Sequence, residues 1–186
     1  MASTGFPRLV SLACHDLRTP LATVYGFART LSRSGQLDER SARFVAMIEE
    51  ASGQMSRLLD ALGTAARIEA GRWEPATRPV DSLELATSAE ERIETRGQGA
   101  TMETDPDVVG RGLEALALAA IRHGPVESVV WEVRGRDLTL SPVRPAAAPV
   151  VSGEETRDLG ATVARLAIEA LGGSLELDGE TLRVRL

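Results

Sequence analysis

From Arg8 to Ser34 the apolar residues Val10, Cys14, Leu17, Leu21, Val24, Ala28 and Leu31 advance by alternating steps of four and three. That spacing belongs to a helix packed along a seam. A break at Ser34-Gly35-Gln36 precedes Asp38, a residue suited to capping a helix, and Phe44, Ile48, Ala51, Met55, Leu58, Leu62 and Ala65 then repeat the alternation. The second long helix is expected to fold back on the first. Leu12, Tyr25, Phe27, Met47 and Leu59 widen the stripes beyond what one partner helix covers. Two hairpins would complete each other as a dimeric four-helix bundle.

Ala70-Gly71 ends the second helix, and Arg72 to Val80, with Pro75 and Pro79, reads as a linker running into an edge strand. The charge changes at the same place: residues 1–75 hold 9 Arg against 8 acids, and residues 76–186 hold 12 Arg against 19 acids. The expected domains are therefore a helical hairpin, 1–75, and a second domain, 76–186. The second domain alternates element types. Helices are predicted over about Ser82–Thr95, from Asp105-Pro106 to about Arg122, and over about Arg157–Leu171. Strands are predicted near Ala100–Glu103, at Ser128–Val133 and at Leu138–Ser141, with a closing hairpin of Ser174–Leu177 and Leu182–Leu186 around Asp178-Gly179. The chain is thus α+β, a helical hairpin followed by a small α/β sandwich. Aromatic residues are only 3% of it, so its cores must be built from small and aliphatic side chains.

A net charge of −6 supplies no positive field to hold a nucleic-acid backbone, which points to a protein partner and not to nucleic acid. Cys14 is alone, and His15 and His123 are too far apart in sequence for metal-ligand spacing. No apolar run reaches signal-peptide or membrane-spanning length, so a cytoplasmic chain that does not enter a membrane is expected. Cys14 reads as a small seam hydrophobe, and Trp73 and Trp131 as packing residues.

The most informative segment is Ser11-Leu12-Ala13-Cys14-His15-Asp16-Leu17-Arg18-Thr19-Pro20-Leu21. His15 lies one step past the seam position Cys14, so its ring should emerge beside the bundle core, open to solvent and to a partner. Pro20 lacks the N–H that would bond the carbonyl of Asp16, and its ring crowds that carbonyl. A proline there costs about 3 kcal/mol or more in a regular helix interior, and a kink is expected one turn past the histidine. A local rule broken inside a strong pattern marks function. A lone exposed histidine is ordinarily just a surface residue; the box around this one is what singles it out.

His-Asp-Leu-Arg-Thr-Pro-Leu resembles the phosphoacceptor box of two-component sensor histidine kinases, whose helical hairpins dimerise into four-helix bundles. The resemblance implies that His15 accepts a phosphoryl group on a ring nitrogen, that Asp16 assists as base or orienter, and that Arg18, Thr19 and Pro20 shape the turn. Imidazole is a competent nucleophile near neutral pH, and its phosphoramidate is labile enough to pass the group on. In that family an acid beside the histidine and a Thr or Asn a few residues later also support dephosphorylation of the partner. Asp16 and Thr19 fill both places.

The second domain resembles the ATP-binding domain of the same kinases in outline only. Arg111 to Pro125 lies where the family's Asn-rich helix belongs, but Ala115 and Ala119 stand in place of the asparagines. An alanine offers no oxygen to Mg²⁺. Pro142 to Pro149 replaces the Asp-x-Gly-x-Gly run, and Asp158-Leu159-Gly160 puts a carboxylate where a phosphate should sit. The fold is therefore expected to be a degenerate histidine-kinase-type sandwich without a nucleotide site. His123 reads as a cap on its own helix's carbonyls.

These readings lead to a phosphorelay histidine phosphotransferase that shuttles a phosphoryl group between His15 and receiver-domain aspartates. It needs no cofactor of its own, since the Mg²⁺ would belong to the partner receiver domain. The alternatives are a pseudokinase scaffold or receiver-binding module with His15 silent, and a sensor-kinase core with divergent nucleotide contacts.

Overall fold

The computed structural model describes residues 5–186. The chain divides into two compact units, Met1–Arg72 and Trp73–Leu186.

The first unit is a pair of long helices, α1 (Gly5–Arg33) and α2 (Glu39–Glu69). Asp38 caps α2 by accepting a hydrogen bond from the Ser41 N–H at 2.7 Å, and that bond holds its carboxyl below the ordinary aspartate value. At the other end Ala70 closes α2 and Gly71 turns the chain away at a φ of 62°.

The seam between the helices differs from the expected one on α2. Val45, Ser52, Gly63 and Ala66 are buried there, one register step from the Phe44, Ile48, Met55, Leu58 and Leu62 series. On α1 the buried residues are Cys14 and Ala28. The cause is size. Small side chains let two helix backbones approach closely, and the large apolar residues are turned to the next face round. Among the described residues, the fourteen large apolar side chains that stand exposed all lie in this unit, from Phe6 to Leu62, and Leu17, Met47, Met55 and Leu58 are each about half exposed.

The second unit contains β1 (Arg78–Asp81), α3 (Ser82–Ala86), β2 (Ile93–Gly99), β3 (Thr101–Thr104), α4 (Pro106–His123), β4 (Val129–Gly135) and β5 (Asp137–Ser141). It continues with α5 (Ala148–Ser152), α6 (Leu159–Ala170), β6 (Ser174–Asp178) and β7 (Thr181–Arg185). A five-stranded sheet runs β2-β4-β5-β7-β6, parallel at β2-β4 and antiparallel elsewhere, and β1 pairs with β3 in a separate ribbon. Alternate strand residues Val129, Trp131, Val133, Leu138, Leu140, Leu182 and Val184 are fully buried, in one core with Leu113 and Leu116 of α4 and Ile168 of α6.

One expectation is corrected here. The helix predicted over 82–95 closes after five residues, and 93–99 is a strand. Thr87 Oγ1 bonds back to the Leu83 carbonyl, the Ser88 hydroxyl accepts from the Glu90 N–H, and such local bonds offer the backbone an alternative to helix. Ile93–Gly99 then pairs along the whole of β4. Gly97, at a φ of 116°, is required where it lies, because a Cβ there would collide with the Val133 carbonyl. The Pro/Ala-rich stretch after β5 carries the short α5 and sends Val143, Ala147, Val150 and Val151 into the main core, while Arg144, Pro145 and Ala146 stay exposed.

Candidate functional site

His15 projects from α1 with its side chain 79% exposed, and its Nδ1 lies 3.2 Å from Asp16 Oδ1. An ionised carboxylate only accepts hydrogen bonds, so Nδ1 is the donor in this pairing, and in a neutral imidazole that leaves the lone pair on Nε2. Asp16 is itself open to solvent, which leaves the pair accessible to a macromolecule approaching from the side of α1.

Thr19 follows His15 by four residues and is exposed on the same face, about one helical turn of 5.4 Å further along. Its carbonyl accepts a hydrogen bond from Thr23 Oγ1 at 3.1 Å. Pro20 lies within α1, which continues through it to Arg33, and the missing N–H leaves the Asp16 carbonyl without its usual helical donor. Arg18 crosses to α2, where Nε and Nη2 donate to Asp60 Oδ1 at 3.2 and 2.8 Å. Asp60 escaped the reading of the sequence. The available signal was its position beside Leu59, an acid at the edge of the α2 seam with an arginine across from it. Cys14 is buried in the hairpin.

The second unit places its sequence-marked residues along the contact of α4 with α6. Ala119 is fully buried, and Gly112 and Ala115 of α4 approach α6 so closely that a Cβ on Gly112 would stand 3.3 Å from the Ala164 Cβ, and one on Gly160 3.0 Å from that of Ala115. Asp158 caps α6 through the Ala161 N–H at 3.1 Å. Its other oxygen accepts from Arg122 Nη1 and lies 3.3 Å from His123 Nε2, with the carboxylate almost wholly buried. His123 therefore turns to the α6 carboxylate and not to the carbonyls of its own helix. The positive end of α6 is filled by the chain's own acid. Among the described residues no group of three or more His, Cys, Asp or Glu is placed to hold a metal ion.

Asp158→Ala is expected to lower the stability of this unit by about 2 kcal/mol, since it removes a cap and the buried acceptor of two side chains. Asp158→Asn, which still caps, should recover about half of that loss. Urea unfolding followed by Trp131 fluorescence measures both.

Residues 8–71 match the family model of the His Kinase A (phospho-acceptor) domain. The chain is 32% identical over 78 residues to the sensor protein DivL of Caulobacter vibrioides, a stretch that makes up 42% of this chain and 10% of that protein. It is 35% identical over 89 residues to the probable sensor histidine kinase TcrY of Mycobacterium tuberculosis, covering 47% of this chain and 18% of that protein. Its matched part is thus less than a fifth of either relative. Among solved structures, full-length ShkA in complex with AMPPNP gives a TM-score of 0.64 at 22% identity, over 96% of this chain and 44% of that one. The Acinetobacter baumannii histidine kinase AdeS gives 0.56 at 18% identity, over 92% and 96%. At these identities the likeness establishes the fold, a helical hairpin followed by an α/β sheet domain. No helix of the described residues is long and apolar enough to cross a membrane.

Proposed function

From residues 8–71, which are a phospho-acceptor domain of the two-component histidine kinase family, we propose that the chain is a dimeric phosphorelay histidine phosphotransferase that does not bind ATP. It exchanges a phosphoryl group between His15 and the aspartates of receiver domains. The observation that carries the relay is the exposed His15–Asp16 pair, with Nδ1 directed to a carboxylate and Nε2 left as the nucleophile.

In the forward step the Nε2 lone pair attacks the phosphorus of a receiver's aspartyl phosphate. The N–P bond forms as the P–O bond breaks, and the aspartate leaves as carboxylate. Nδ1 keeps its proton throughout, and Asp16 offsets the positive charge the ring acquires, a contribution of the electrostatic kind. The return step is the reverse. Thr19 is assigned to the water that removes phosphate from the partner, and Arg18 and Pro20 to the shape of the helix around the site. The Mg²⁺ such a transfer needs is carried by the receiver, so this chain requires no cofactor, and the setting is cytoplasmic.

Support for the absence of ATP binding comes from the second unit. Ala119 is buried without a ligand atom to offer, Val143, Ala147, Val150 and Val151 of the stretch 142–152 are packed into the core, and Asp158 fills the α6 N-terminus where phosphate would lie. A kinase core is the second reading, favoured by the fold shared with ShkA, whose structure holds AMPPNP.

Two measurements separate the readings. Calorimetry of the full chain with Mg-ATP is expected to give no dissociation constant tighter than about 100 μM, roughly −5.5 kcal/mol, and a tighter one establishes the kinase core instead. Radiolabelled phospho-receivers from the same organism are expected to transfer label to His15. If no receiver labels the chain, the relay is wrong and a scaffold with a silent histidine replaces it.

A further inference from the structure

A cleft of about 260 Å³ opens between α1 and α2, lined by Ser11, Cys14, Arg18, Gly63, Arg67 and Arg72. At Gly63 the missing side chain leaves a point on which two cations converge. Arg18 Nη2 and Arg67 Nη1 lie 3.6 and 3.7 Å from where a Cβ would stand. Arg72 also lines the cleft, exposed and with no side-chain ion pair among the described residues. The acid paired with these residues is Asp60, which is bonded to Arg18, while Arg67 Nη2 donates only to the neutral Thr64 hydroxyl at 3.1 Å. Ser11 in the α1 wall has a buried hydroxyl with no hydrogen-bond partner.

Like charges gathered in a cleft repel, and an orphaned hydroxyl costs free energy, so an anion bound there would relieve both. The donors come from α1, from α2 and from the chain just past the end of α2. A planar carboxylate takes its guanidinium fork from one side, whereas an oxyanion with tetrahedrally disposed oxygens uses donors arriving from several directions. We propose that this cleft binds inorganic phosphate, on the same two turns of α1 that carry His15 but on the neighbouring face. The inference rests on the hairpin alone and stands or falls independently of the relay.

Phosphate stabilises most folded proteins by exclusion from their surfaces, so a raised melting temperature is no test. Isothermal titration of the full chain with sodium phosphate, at ionic strength held constant with chloride, is expected to show one saturable millimolar site per chain. Arg67→Gln and Arg72→Gln should each weaken it about tenfold or more, as expected for a charge-assisted hydrogen bond. Arg33→Gln, at the opposite end of the hairpin, should leave it unchanged, and acetate should bind at least about tenfold more weakly than phosphate. Arg72 lies beyond α2 and its side chain makes no hydrogen bond or ion pair among the described residues, so its variant keeps the test intact even if Arg67→Gln fails to fold. The proposal is overturned by the absence of saturable binding to the wild-type chain, by undiminished affinity in Arg72→Gln, or by acetate binding as tightly as phosphate.

Discussion

His15→Ala is expected to abolish phosphoryl transfer, by at least about 10³-fold in rate, while the hairpin's helical content and unfolding midpoint stay within about 0.5 kcal/mol of wild type. The two halves of this expectation have separate causes. In the proposed relay the imidazole is the nucleophile, and Asp16 and Thr19 have no lone-pair nitrogen to substitute for it. Its side chain is 79% exposed and outside the seam, so its removal takes almost nothing from packing. Graded effects are expected around it. Asp16→Asn should slow transfer about 10²-fold without eliminating it, as for a group that orients and neutralises imidazole. Thr19→Ala should spare forward transfer and weaken loss of phosphate to water. Label retained on the chain in His15→Ala would move the acceptor to another residue and end the assignment.

Leu58→Glu is expected to convert the proposed dimer to a monomer. The hairpin buries its small residues internally and leaves large ones outside, and another hairpin with the same stripe would cover them. Leu58 is the better probe than Leu21. The latter is partly buried within its own hairpin, and a charge there would also unfold the monomer. At Leu58, 46% exposed, the substitution acts chiefly on the interface. In a two-fold dimer every substitution occurs twice, and two leucines each contributing about 2 kcal/mol give roughly a thousandfold weaker association. Sedimentation velocity at micromolar concentrations reads this directly. A wild-type chain that sediments as a monomer at tens of micromolar would refute the bundle, as would Leu58→Glu remaining dimeric.

The hairpin was legible because a period of 3.5 residues sustained through Val10–Leu31 and Phe44–Ala65 has one interpretation. What it could not settle was which of two apolar faces turns inward, since both follow the same period. Side-chain size decides that, through the close approach permitted by Gly63, Ser52 and Cys14. The short α3 was misread for a related reason. Ser82 to Thr95 carries a helix-compatible composition, and what turns its second half into a strand is pairing with β4, where Ile93 lies opposite Val129. Val143 and Ala147 were hidden by their neighbours, because prolines and alanines in a row look like a tether until the core they enter is known. Within the His15 segment, the histidine and its acid were readable from spacing. Asp60, the partner of Arg18, is a tertiary contact between helices, and neither helix's own periodicity announces it.

The tight contact of α4 with α6 also limits where this lineage can go. With Gly112 against Ala164 and Ala115 against Gly160, and with Ala119 sealed from solvent, an asparagine at 115 or 119 arrives in a space already filled. Its amide adds volume to a close-packed layer and brings donors and acceptors that find no partner there. An asparagine on α4 would therefore require the two helices to move apart, so the packing of this layer and the chemistry its side chains can offer are set together.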